Sequence, residues 1–149
     1  MSDRKIPPSK VLEILPIKAI SSLEIPFVGD IAAGFPSPAE DYLEECIDLN
    51  REFIKNPTST FYGRVKGVSM IDSGYYPGDV LIIDKSLQPK TNSVVVCYLN
   101  GEFTLKRVKI EKKQIYLMPD NAEFQPILVT EDDELIIWGV VTYVIKKSY

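Results

Sequence analysis

Histidine is absent: none of the 149 residues is one. That excludes every Ser-His-Asp and Cys-His arrangement, because the usual base for a serine or cysteine nucleophile is missing. Cysteine is scarce. Cys46 and Cys97 stand far apart in the chain, make no disulfide framework, and without histidine form no typical zinc site. Two unpaired thiols suit a reducing compartment. Positive charge is also in short supply, with 17 Lys and Arg against 21 Asp and Glu, a net charge of −4 and no basic block. Sequence-independent binding to phosphate backbones is therefore not expected to be the main task, and a protein partner fits the charge better. Long apolar runs are missing too. "LIIWGVVTYVI", ending at Ile145, is shorter than the roughly 20 residues that cross a bilayer. No apolar stretch follows "MSDRKIPPSK", so a signal peptide is not expected. The sequence reads as soluble and cytoplasmic.

What is present is a chain long enough for one domain with a core and an arm, 45% hydrophobic and 26% charged, which excludes wholesale disorder. Up to about residue 40 the sequence is punctuated by Pro7, Pro8, Pro16, Pro26, Pro36 and Pro38. Prolines at that spacing prevent a long helix and keep a segment extended. "ECIDLNREFIKNP" predicts a short helix, with Asp48 as N-cap, an apolar face of Leu49, Phe53 and Ile54, and Pro57 after its end. From Thr58 the pattern turns to strands. "SVVVCYLNGEFTLKRVKI" predicts a hairpin about Asn100-Gly101, since both turn residues tolerate positive φ. "DVLIID", "QIYLMP" and "ELIIWGVVTYVI" predict further strands. The fold class is mainly β, with an extended N-terminal arm and one short helix.

Ser69 lies between two strand-like runs, with Gly67 before it and the turn-forming Ser73-Gly74 and Pro77-Gly78-Asp79 after it. It is either an ordinary turn serine or a nucleophile. A nucleophile needs a base, and only a carboxylate or a lysine remains. Lys106 is the lysine candidate. A solvated lysine, with a pKa of about 10.4, is protonated at neutral pH; as a base it needs a value nearer roughly 7–8, which burial provides. Strand parity sets Lys106 on one face with Thr104 and Val108, and Phe103 and Leu105 on the other. Asp72, Asp79 and Asp84 read as turn caps and solvated strand ends, and Cys46 and Cys97 as small core residues. Spacing alone leaves the choice open.

Three stretches in order, "AAGFPSPAEDYLEECIDLN", "GVSMIDSGYYPGDVLIID" and "GEFTLKRV", resemble the UmuD-type proteins within the LexA and phage-repressor group of self-cleaving serine peptidases. The resemblance implies a compact β-rich peptidase domain over residues 34–149 and a removable arm over residues 1–33. It implies a Ser-Lys dyad, with Ser69 as nucleophile and Lys106 as general base, and a scissile bond between Ala33 and Gly34. Where UmuD-like proteins often have Cys-Gly, this chain has the Ala-Gly of LexA-like proteins, and both pairs are small enough for a close approach to a nucleophile. Further implications are a homodimer, cleavage promoted by a RecA–single-stranded DNA filament, and service to a UmuC-type error-prone polymerase in the DNA-damage response, without cofactor or metal. A proline-broken arm of residues 1–33 leaves no room for the helix-turn-helix of a repressor, which favours the UmuD-like branch. Two other classes stand beside this one: a non-cleaving interaction module of the same fold that regulates the polymerase, and a stand-alone peptidase acting on other proteins.

Overall fold

The computed structural model describes residues 12–16, 24–27 and 45–148. Ten strands follow one another there: β1 (Leu12–Pro16), β2 (Glu24–Phe27), β3 (Glu45–Asp48), β4 (Thr60–Val65), β5 (Val80–Asp84), β6 (Val94–Leu99), β7 (Glu102–Glu111), β8 (Gln114–Met118), β9 (Ile127–Val129) and β10 (Leu135–Ile145). One α-helix, α1 (Leu49–Phe53), follows β3 directly. The mainly-β class with one short helix is what the sequence led us to expect. Two compact units divide these elements. One holds β1 and everything from β4 onward; the other holds β2, β3 and α1.

In the smaller unit β2 and β3 pair antiparallel, from Glu24 opposite Asp48 to Phe27 opposite Glu45. The helix expected within "ECIDLNREFIKNP" begins after its Asp48 cap as expected but stops at Phe53, short of Pro57, and the residues before it extend as β3. Asp48 is the N-cap, its carboxylate accepting from the Asn50 N–H at 2.9 Å. Phe53 and Ile54 are half-buried, but Leu49 is exposed. With five residues α1 cannot sustain an apolar stripe, and none of them is fully buried.

The larger unit is an eight-stranded sheet in the order β1-β4-β5-β10-β6-β7-β8-β9, antiparallel at every pairing. Asn100 and Gly101, at φ 49° and 94°, turn β6 into β7 as expected, with Leu99 opposite Glu102. The β7–β8 turn uses Lys112 and Lys113 at φ 47° and 65°, a left-handed pair that these side chains adopt at some cost.

Two apolar clusters fill the unit. Alternate residues of β6 serve both: Val94 and Val96 join Val65, Met70, Leu81, Ile83, Phe103 and Leu105, while Val95 and Cys97 join Val108, Leu117 and Val140. A strand buried on both faces reads as a continuous apolar run, hence "VVVC". Each fully buried aliphatic side chain here contributes about 1.5–3 kcal/mol relative to exposure. β7 inherits the alternation, Phe103 and Leu105 facing one cluster and Val108 the other. Its pairing is offset as well: Glu102 to Arg107 pair with β6, Arg107 to Glu111 with β8. Arg107 alone has a partner on both sides.

β10 spans the sheet between β5 and β6 by shifting register twice, once between Ile137 and Gly139 and once between Val141 and Tyr143. Gly139 is held close to β5: a Cβ there would lie 2.6 Å from Ile83 Cγ2 and 3.5 Å from the Asp84 carbonyl oxygen. Because Ile83 is fully buried, it cannot swing away. Gly139→Ala is therefore expected to destabilise the domain by about 1–3 kcal/mol, read as a lower urea midpoint with an unchanged slope.

Candidate functional site

Ser69 sits in a tight turn beyond the end of β4. The Val68 carbonyl accepts from the Ile71 N–H at 3.2 Å, and the Met70 carbonyl accepts from Ser73 and Tyr75, both at 3.2 Å. Gly74, at φ 83°, closes the turn by donating to Ile71; the left-handed backbone there suits glycine. Met70 is driven into the core, 2% exposed. An apolar anchor next to Ser69 thus fixes a short turn that lifts the hydroxyl toward β7.

Lys106 comes from β7, opposite Val95 of β6, with Thr104 opposite Cys97. Parity set Lys106 on the face of Thr104 and Val108, and that face carries a buried cluster. Lys106 is 7% exposed and Ser69 8%. Lys106 Nζ lies 3.1 Å from Ser69 Oγ, 2.8 Å from Thr104 Oγ1 and 3.2 Å from the Leu105 carbonyl oxygen. Ser69 Oγ is itself 3.5 Å from that carbonyl. No carboxylate hydrogen-bonds to Ser69 among the described residues, so of the two bases left open by the sequence, the lysine is the one at hand.

Burial holds the Lys106 pKa below the usual lysine value, the main cause being desolvation, opposed by the Cys97 thiol. The same burial pushes Cys97 up to about 11, with Lys106 pulling the other way. A thiol in that state is protonated and unreactive. A neutral lysine amine has two N–H donors and one lone pair. Donation to Thr104 Oγ1 and to the Leu105 carbonyl uses both hydrogens and leaves the lone pair for the Ser69 O–H, which then donates to Nζ. That is the arrangement in which an amine takes a serine proton. Thr104 was placed by parity, but nothing in the sequence marked it as a partner of the amine.

The other residues singled out fall elsewhere. Asp72 Oδ2 accepts from the Ala122 N–H, Asp79 Oδ2 from Tyr76 N–H and from Lys146 Nζ, and Asp84 Oδ1 from Ser86 N–H, Ser86 Oγ and Ser59 Oγ. Asp79 and Asp84 cap turns but are buried rather than solvated, whereas Asp72 caps no local turn and binds a segment distant in the chain. Hydroxyl, ammonium and amide donors replace the water they give up. Cys97 is free and buried, as a core residue should be. The Cys46 side chain and the Ala33-Gly34 bond lie outside the described residues. Among the described residues no cluster of Cys, Asp and Glu could hold a metal ion, and no helix is long and apolar enough to cross a membrane.

A buried amine with a depressed pKa lowers stability. Between its folded value and the unfolded value near 10.5, the unfolded chain holds more protons, so stability rises with pH across that window. Lys106→Met, which keeps the stem and removes the amine, is expected to melt higher than wild type at pH 7. That gap should narrow as the pH approaches the lysine's unfolded value. Thermal unfolding of both proteins across pH measures it.

Residues 26–142 match the family described as Peptidase S24-like. The chain is 45% identical to Protein SamA of Salmonella typhimurium over 116 residues, 78% of this chain and 80% of the relative. It is 40% identical to Protein MucA of Escherichia coli over 121 residues, 80% of this chain and 82% of that protein. A match to the LexA repressor of Pseudomonas chlororaphis, 36% identical, takes in 83% of this chain but 61% of the repressor. A buried serine and lysine in hydrogen-bond contact on a β-rich domain, and relatives of this kind over most of the length, lead to one conclusion: the chain belongs to the Peptidase S24-like family.

Proposed function

We propose that this protein is a self-cleaving serine peptidase of the DNA-damage response, in which Ser69 and Lys106 cut the Ala33-Gly34 bond of the chain's own N-terminal arm. The observation that carries the reading is the 3.1 Å contact between Ser69 Oγ and a buried Lys106 Nζ in a chain without histidine. Lys106 accepts the Ser69 proton as Oγ attacks the Ala33 carbonyl carbon. The tetrahedral oxyanion collapses, the ammonium of Lys106 returns the proton to the Gly34 nitrogen, and the C–N bond breaks. Ala33 is left as an ester on Ser69. Water, deprotonated by the same amine, hydrolyses that ester and restores the serine. The N–H groups of Ser69 and Met70 have no acceptor among the described residues, which suits them to receive the oxyanion.

In this reading residues 1–33 are the arm that is lost, and residues 34–149 the domain that remains. The rest follows the resemblance of the sequence to UmuD-type proteins. The protein is cytoplasmic, and a RecA–single-stranded DNA filament promotes cleavage. The trimmed homodimer is an accessory subunit of a UmuC-type error-prone polymerase. The relatives named SamA and MucA, covered over 80% and 82% of their length, support that branch.

The test is self-cleavage of the purified full-length chain across pH, without any partner, with the break placed by mass spectrometry. Lys106 acts only when neutral. The rate is therefore expected to rise with pH and level off once the amine has lost its proton, at a pH below that of an ordinary lysine. A single cut between Ala33 and Gly34 is expected, and a loss of about 10³-fold or more in both Ser69→Ala and Lys106→Ala. Uncut wild type at every pH, with or without the filament, would move the reading to a non-cleaving interaction module of the same fold.

A further inference from the structure

The turn that carries Ser69 is tied to the strand that carries Lys106 by a set of polar contacts in which neither residue takes part. The segment leaving β8 touches that turn at four positions. Asn121 Nδ2 donates to the Val68 carbonyl at 2.8 Å, and the Asp120 N–H meets Met70 Sδ at 3.4 Å. The Asp120 carbonyl accepts from the Asp72 N–H at 2.7 Å, and its carboxylate Oδ2 accepts from Ser73 Oγ. The same Oδ2 takes Arg107 Nε at 2.8 Å, while Arg107 Nη2 donates to Ser73 Oγ at 2.9 Å and Nη1 to the Asn92 carbonyl at 2.7 Å. Asn92 presents that carbonyl from a left-handed backbone, φ 74°.

Arg107 is the residue after Lys106, and the one β7 residue paired on both sides, to Val94 and to Met118. It is thus a fixed point of the sheet. A planar guanidinium with three of its donors engaged cannot rotate without breaking one of those contacts. Resting on the self-cleavage reading above, we propose that Arg107, Asp120 and Ser73 act as positioning residues that clasp the Ser69 turn onto β7 and so hold the distance between Ser69 Oγ and Lys106 Nζ. Val68 and Met70, on either side of Ser69, are held by the same segment, so both flanks of the nucleophile are fixed. Proton transfer depends on hydrogen-bond reach, and a misplacement of about 1 Å can cost roughly 100-fold in rate.

The experiment follows self-cleavage of the full-length chain against pH for wild type, Asp120→Ala and Ser73→Ala, with Ser69→Ala as the silent reference. Val144→Ala, which truncates a half-buried side chain of β10 that makes none of the clasp's hydrogen bonds, controls for lost stability. Positioning lowers the alkaline plateau rate, by about tenfold to 100-fold for Asp120→Ala, and leaves the midpoint of the pH profile in place because the environment of the Lys106 amine is intact. At an equal fall in melting temperature, Val144→Ala should keep the wild-type plateau. The proposal is overturned by an unchanged plateau in Asp120→Ala and Ser73→Ala, by a shift of the midpoint alone, or by an equal plateau loss in Val144→Ala. Should Asp120→Ala not fold, Ser73→Ala decides, since it removes one hydroxyl and keeps the Arg107–Asp120 pair. Cleaving wild type beside silent Ser69→Ala keeps the self-cleavage reading whatever the clasp variants do, whereas wild type that never cleaves overturns both.

Discussion

The constraint on which the rest depends is a lysine amine kept out of water beside a serine hydroxyl. An isolated ammonium in an apolar interior costs several kcal/mol even after relaxation, so the chain must either neutralise the group or surround it with acceptors. Here desolvation lowers the Lys106 pKa, Thr104 Oγ1 and the Leu105 carbonyl accept its hydrogens, and Ser69 is its third polar neighbour. The features that make Lys106 a poor contributor to stability are the ones that suit it to the base's part in the proposed cleavage.

The sheet supplies this environment through β6. Because Val94 and Val96 serve one cluster and Val95 and Cys97 the other, the first four residues of β6 are buried on both faces, and Lys106, opposite Val95, is buried with them. Lys106 stands opposite Val95 and Thr104 opposite Cys97, so the desolvating wall is the second cluster itself. The offset pairing of β7 does the rest. Toward its N-terminal end the strand has left β8 behind, and there the Ser69 hydroxyl meets the Leu105 carbonyl. A serine turn beside a fully paired strand would find that flank occupied by β8.

Much of this was legible in the sequence because it rests on local rules. The Asn100-Gly101 turn fixed the β6–β7 hairpin, and alternation fixed the face that Lys106 shares with Thr104 and Val108. The missing histidine reduced the candidate bases to two kinds. What was illegible rests on tertiary contact. β9 has three residues, Ile127–Val129, too few for alternation to register. β3 was not legible because Asp48 marks only where α1 begins, and the four residues Glu45–Asp48 are too few to show an alternation. The burial of Asp79 and Asp84 follows from donors brought in from Lys146 and Ser59, distant in the chain. Asp120 carries no local signature at all: "MPDNAEF" reads as an ordinary exit from a strand, and only the fold brings it to Ser73 and Arg107.

A lysine base differs from a histidine base in one respect that bears on control. Histidine's ordinary pKa already lies near neutrality, so a serine–histidine pair is ready in water. Lysine's does not, and its readiness is a measure of how dry its surroundings are. At 7% exposure Lys106 is largely but not wholly removed from solvent. In the proposed reaction the substrate is a segment of the same chain, and its arrival over the dyad excludes more of the water that favours the ammonium. Docking of the scissile segment and activation of the base are then one equilibrium. A partner that stabilises the docked arm raises the neutral fraction of Lys106 without touching it, and control of such an enzyme needs no chemistry beyond control of where its own arm lies.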